Sequence, residues 1–258
     1  MKRLFRHVLY PALAAPLLIG QAIAVDSNEE RPWAVGSVFS EDGETLLYRE
    51  HLYADDPDID HPTRVLYLTP DGERFAEKQL DYSQSLSAPS VDFRDHRNQA
   101  RIRTSSQGER NNQPERIQVA FRPDDSESLR ESELRYNDSL IVDAGFDAYI
   151  RQNWDELTEN ARLVANFLVP SRLDTVRVAL TETDRSDCRT EQEDIYCFEV
   201  RPAGFLRVVS WFVDPIRVAY DQESRRLVLY DGLGNIPDEA GDNRNVLIRY
   251  EYAERPEA

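Results

Sequence analysis

Methionine is absent after the initiator and lysine occurs only at positions 2 and 78, so almost every cationic side chain is an arginine. That scarcity is a compositional bias with no chemical consequence of its own, but other absences exclude functions. There are four histidines and no G-x-S-x-G elbow, so no local feature assembles the nucleophile and base of a hydrolase. Two cysteines without a C-x-x-C spacing remove the dithiol redox motif and the cysteine-based zinc site. Neither cysteine lies near the N-terminal apolar run, so there is no thiol to acylate and a lipoprotein anchor is excluded. Positive charge is itself short: 31 basic against 48 acidic residues give −17. Such a balance repels the phosphates of nucleic acids and opposes adsorption to anionic lipid. No repeat of fixed period and no low-complexity linker divides the chain, and no cofactor motif is present.

The first 24 residues, MKRLFRHVLYPALAAPLLIGQAIA, carry a basic head (Lys2, Arg3, Arg6), an apolar run from Val8 to Gly20, and small residues at Ala22-Ile23-Ala24. This order reads as a cleaved export signal, too short for a spanning helix. The expected mature chain starts near Val25 in the periplasm, with no transmembrane segment. Residues 25–32 form a polar leader, and 33–258 a single domain. Cys188 and Cys197 flank a polar turn between two strand-like runs, and in an exported chain they read as a disulfide across a hairpin neck.

From Trp33 onward short alternating runs are separated by turn residues. WAVGSVF, TLLYREHLY, RVLYLTP and RFAEKQLDY are divided by EDGE and by Asp71-Gly72, a strong antiparallel hairpin signal. SVDFRDHR, QARIRTSS and ERIQVAFRP continue the series, and IRVAYD, RRLVLYDGL and NVLIRYEYA read as a closing meander. Helical spacing appears at Phe146, Tyr149, Ile150, Asn153, Trp154 and Leu157, with Asp143 placed to cap it. The fold class expected is α+β and mainly antiparallel β: a curved sheet or half-barrel of nine to eleven strands covered by two short helices.

Three clusters hold candidate chemistry. Asp55 to His61 cluster four carboxylates and an imidazole, and Asp56, Asp58 and Asp60 alternate as the first ligands of a calcium loop do, but the loop lacks that motif's glycine and closing glutamate, and no metal site is assigned. The segment from Arg94 to Arg122 holds seven arginines against Asp95, Glu109 and Glu115. Arg97, Arg101 and Arg103 are the candidate contacts for an anionic headgroup or an acidic envelope partner. Third, AGFLRVVSWFV (203–213) spaces Phe205, Val208, Val209 and Phe212 on one side of a helix, and Trp211 widens the apolar face. At 1.5 Å per residue it is about 16 Å long, far short of a bilayer, and so greasy a helix is covered.

An exported, strongly antiparallel chain with a short apolar helix before a closing meander resembles the lipoprotein-localisation half-barrel class. The likeness is carried by FLVPSRLDTVRVAL, AGFLRVVSWFVDPIRVAYDQESRRLVLYDGLGNI and VLIRYEY. The chain is similar also to a family of exported proteobacterial proteins with LDYSQSLSAPSVDFRD-like and FLVPSRLD-like stretches. The resemblance implies a concave face that holds an acyl chain or other apolar ligand, with no catalytic signature. Expected lining residues are Phe205, Val209, Trp211, Phe212, Phe167 and Val169. A non-enzymatic binder of a lipid-like ligand is thus the leading expectation. An envelope scaffold with a solid core is the second, and a secreted hydrolase built on His51, His61 or His96 the third.

Overall fold

Period-two alternation with DG turns leaves each run one apolar face and one polar face, and neighbouring runs bury the apolar faces side by side. The computed structural model describes residues 31–55, 60–203, 215–238 and 242–253. The first eight strands are β1 (Ala34–Ser40), β2 (Leu46–Tyr53), β3 (Arg64–Leu68), β4 (Arg74–Asp81), β5 (Ser90–Asp95), β6 (Arg101–Gln107), β7 (Arg116–Arg122) and β8 (Arg130–Arg135). Two residues form β9 (Leu140–Ile141), followed by helices α1 (Gly145–Gln152) and α2 (Trp154–Thr158). The rest are β10 (Leu163–Val169), β11 (Asp174–Thr183), β12 (Ile195–Pro202), β13 (Ile216–Asp221), β14 (Leu227–Leu233) and β15 (Asn245–Tyr252). Among the described residues there are fifteen strands, more than the nine to eleven expected; the charged run RESELR of β8 and the two-residue β9, which carry no apolar alternation, account for part of the excess. The class stands: one large, open, curled and mostly antiparallel sheet, with only the β9–β10 pair parallel among the described residues, and two short helices.

All strands share one sheet, ordered β8-β7-β6-β5-β4-β3-β2-β1-β15-β14-β13-β12-β11-β10-β9. Two meanders are thus joined at the centre, where β1 pairs antiparallel with β15 from Ala34↔Tyr252 to Ser40↔Val246. The chain leaves one edge of the sheet at Arg135 and enters the other at Leu140. Four intervening residues span at most about 17 Å. Two edges fifteen strands apart can meet within that reach only if the sheet curls on itself. The Val142 amide, just beyond β9, accordingly donates to the Ser87 carbonyl between β4 and β5 (2.9 Å).

The curl produces three apolar clusters. The inward face of β1–β7 packs Val38, Tyr67, Phe75, Phe93 and Val119 against Leu140, Val142 and Leu168 from the opposite edge. Helices α1 and α2 lay Tyr149, Ile150, Trp154 and Leu157 on Leu180, Phe198, Val218 and Tyr220 of the other half. On the reverse face of that half, Cys188, Cys197, Ala219, Leu229 and Leu247 form the third cluster. Trp154 meets Tyr196, Phe198 and Tyr220 edge-on at 5.4–5.8 Å.

Helical periodicity over 146–157 holds, but the helix is broken at Asn153. The Asn153 side-chain amide donates to the Tyr149 carbonyl at 2.8 Å, beside its own backbone amide, so the side chain competes for the carbonyls of the last turn. Asp143 does not cap the helix. Ala144 is the first flanking residue and makes no side-chain cap, whereas Asp143, at φ +48°, turns its carboxylate toward Lys78. The second expected helix, with Phe205, Val209, Trp211 and Phe212, lies outside the described residues.

Candidate functional site

In TLLYREHLY and RFAEKQLDY the inward phase runs through Tyr48, Glu50 and Leu52, and through Ala76, Lys78 and Leu80. Two ionisable side chains therefore point into the concave, apolar side of the sheet. Glu50 is 7% exposed and Lys78 4%. A lone buried charge costs several kcal/mol, so each needs a partner. Lys78 Nζ lies 2.7 Å from Asp143 Oδ1, a contact from β4 to the segment between β9 and α1. The ammonium also sits 5.7 Å from the centre of the Tyr67 ring. Burial alone would lower the lysine pKa, but Asp143 and the Tyr67 hydroxyl outweigh it and hold it above its ordinary value.

Glu50 accepts a hydrogen bond from the Tyr250 hydroxyl at 3.1 Å across Gly36, the residue opposite both. A Cβ at Gly36 would lie 2.8 Å from the Tyr250 ring, so glycine there lets the two side chains meet. Burial pushes the Glu50 carboxyl up to about 7, against the pull of Lys78 and Tyr250. Two acids, Glu50 and Asp143, thus share one cation. The buried Tyr48 hydroxyl beside them has no hydrogen-bond partner among the described residues, nor has that of Tyr82. Asp143 and Asp147 together hold the Tyr82 phenol further above its ordinary value, after burial itself.

A second ionic group continues from α1. Arg151 contacts Asp147 one turn earlier (2.7 Å) and Asp60, which also faces Arg226 at 3.5 Å. Burial raises the Asp147 pKa despite Arg151. Asp60 is thereby engaged in holding the helix to the sheet, and the His61 ring lies against Tyr82, tilted by 52° with centroids 4.1 Å apart. Among the described residues no three His, Cys, Asp or Glu side chains converge as a metal would require. His96 faces Glu77 at 3.8 Å on the exposed side.

Of the expected lining, Phe167 and Val169 lie on β10 and are half-buried. Phe167 faces Val176 in register and meets Phe146 of α1 edge-on at 6.4 Å. Ile216 belongs to the same rim, next to the end of the undescribed 204–214 segment. The three expected partner-binding arginines are divided between two faces of the sheet. Arg97 is drawn inward: it grips buried Asp95 at 2.6 Å, donates to the Pro237 carbonyl at 3.1 Å and covers the Phe75 ring. Arg101 and Arg103 remain on the outer face, where both guanidiniums, with that of Arg94, point at one oxygen of Asp92.

Cys188 and Cys197 form the expected disulfide, with Cα atoms 5.9 Å apart. It pins an open polar groove of about 860 Å3 lined by Arg185, Thr190, Glu191, Gln192 and Arg249. Arg189 anchors that loop through a two-pronged contact with Asp231 (2.7 and 2.8 Å).

Reasoning from sequence missed Glu50, Lys78 and Asp143. The signal for the first two was present, since each occupies the apolar phase of an otherwise alternating strand. No protein-family model, curated protein or solved structure matches the chain.

Proposed function

We propose that the protein is exported and binds, without catalysis, a hydrophobic, lipid-like molecule with an anionic end inside its curled sheet. The observation that carries this reading is the Lys78 ammonium, sunk in an apolar shell and matched by a carboxylate from a different part of the chain. A few convergent polar groups within apolar walls are what orient an amphiphile. Asp143, on a residue in the left-handed region and next to a helix, occupies the place that a ligand carboxylate or phosphate would take. The half-buried Phe146, Phe167, Val176 and Ile216 supply an apolar rim. The N-terminal apolar run and the disulfide support export to the periplasm.

Titration with oleate and with neutral monoolein, read by native mass spectrometry and by tryptophan fluorescence, tests the reading. Oleate binds and monoolein binds more weakly. Lys78→Met loses at least about tenfold in affinity, the worth of one charge-assisted contact. Asp143→Asn, which removes the internal competitor, binds oleate more tightly than the parent. Equal affinity of all three proteins, or no binding, removes the proposal.

A second reading, an envelope interaction protein with a solid core, is favoured by the closeness of the three apolar clusters, whose central side chains are almost wholly excluded from water. Absence of any co-purifying lipid from protein prepared from its own envelope would favour it over the first.

A further inference from the structure

Glu50 and Lys78 face one interior from β2 and β4, and the charges around them do not balance. The Glu50 carboxyl interacts with Tyr48 on its own strand, Tyr67 on β3, Lys78 on β4, Asp143 before α1, Tyr230 on β14 and Tyr250 on β15. On β1 the residue opposite it is Gly36, which brings no side chain. Burial raises all four phenols above their ordinary range, so they stay neutral up to about pH 9. Among the described residues that act on Glu50, the Lys78 ammonium is thus the one cation, set against two acids, Glu50 and Asp143.

The two acids are not equivalent. Asp143 holds the ammonium directly at 2.7 Å, and that pair is neutral. Glu50 is held, among the described residues, by the Tyr250 hydroxyl at 3.1 Å. Protonated, it leaves the interior balanced; ionised, it leaves one negative charge in an apolar shell. Burial accordingly raises this carboxyl to about 7, so its proton comes and goes near neutrality. An anion brought to Lys78 adds a further negative charge inside the same shell, where like charges repel far more than in water. Ionised Glu50 and a bound anion therefore oppose each other. The opposition is reciprocal: whatever Glu50 ionisation takes from anion affinity, the anion adds to the proton affinity of Glu50.

We propose, resting on the reading of Lys78 as the anchor of an anionic amphiphile, that Glu50 makes this site proton-coupled. The anionic ligand enters together with one proton on the Glu50 carboxyl and leaves when that proton is lost. An O–H bond is the one bond made and broken, and solvent supplies and takes back the proton.

The test is calorimetric titration with decyl sulfate, whose head stays ionised from pH 5 to pH 9, so any pH dependence belongs to the protein. Affinity of the parent is level below pH 6 and falls at least about tenfold by pH 9. At pH 7, titrations in two buffers of different ionisation enthalpy show uptake of about half a proton per ligand bound. Glu50→Gln keeps the parent's acid-side affinity up to pH 9. The histidines and Asp147 titrate in both proteins, so the difference between them isolates Glu50. The proton count uses the parent alone and stands whether or not the variant folds. Equal pH profiles in parent and variant, or no proton uptake by the parent at pH 7, overturn the coupling and leave the binding reading in place. Absence of decyl sulfate binding at pH 5, where Glu50 is neutral, overturns both.

Discussion

Replacement of Glu50 by glutamine isolates the electrostatic state of the interior. Glu50 is buried beside Lys78, which Asp143 already neutralises, so its carboxyl is raised to about 7. In the unfolded chain a glutamate titrates near 4.3. An acid whose pKa is raised on folding favours the folded state fully at pH below the unfolded value. That contribution is lost as pH rises from about 4.3 to about 7 and is gone above it. A carboxyl that moves from about 4.3 unfolded to about 7 folded is worth about 3–4 kcal/mol. Glutamine keeps the shape and can still accept from Tyr250, but it does not ionise. Urea unfolding of both proteins at closely spaced pH values gives the difference in stability, from which titrations common to both cancel. The Glu50→Gln protein gains about 3 kcal/mol on the parent between pH 4 and pH 8, with most of the change above pH 5. A difference that stays flat across this window refutes the reasoning. A difference of opposite sign means that Lys78 holds Glu50 ionised and that the burial cost is overstated.

Three further outcomes follow from the packing. Gly145→Ala places a methyl carbon 2.1 Å from the Ser87 carbonyl oxygen, so despite better helix propensity it lowers stability by at least 1–3 kcal/mol, read as the urea midpoint. Replacement of Cys188 and Cys197 by serine removes a short cross-link and buries two hydroxyls, at a cost of about 2–3 kcal/mol in thermal or chemical unfolding. Trp154→Ala, at a side chain 4% exposed and ringed by three aromatics, costs about 3–5 kcal/mol and unseats the helices, which hydrogen exchange of the Tyr149 and Ile150 amides reports.

Alternation and DG turns made most strands legible, because a half-buried antiparallel strand writes its environment into every second residue. Where burial is two-sided or absent, that signal fails. β10 has Ala165 in one apolar cluster and Leu168, on its other face, in another, so LVANFLV reads as a plain apolar run. β8 buries almost nothing, and its charged sequence carries no alternation to read. The pairing of β1 with β15 was not legible at all, since it joins residues at opposite ends of the chain and rests on register alone. The arginine-rich span was visible, but its division was not. Arg97 and Arg101 are four residues apart in sequence, yet a turn between strands sends one inward onto Asp95 and leaves the other outside. Glu50 and Lys78 went unread for another reason: a single charge in an apolar phase looks like noise until its partners are known.

Those partners explain what the buried ions do for the fold. A long curled meander is held along its length by strand pairing, but pairing says nothing about where one edge rests on the concave face. Apolar contacts tolerate sliding there, because Leu, Val and Phe surfaces are similar from one position to the next. The Lys78–Asp143 contact joins β4 to the segment just beyond β9, and Asp60–Arg151–Asp147 joins the segment before β3 to α1. Any slip of the edge by one residue would leave these charges buried and unpaired, at several kcal/mol each. The ion pairs add little net stability over apolar residues of the same shape, but they penalise every alternative seating. That account also ties the interior site to the helix. On the proposed function, an anion that took Asp143's place on Lys78 would remove one of the contacts that fix α1, and ligand binding would be coupled to the seating of α1 through a single ammonium group.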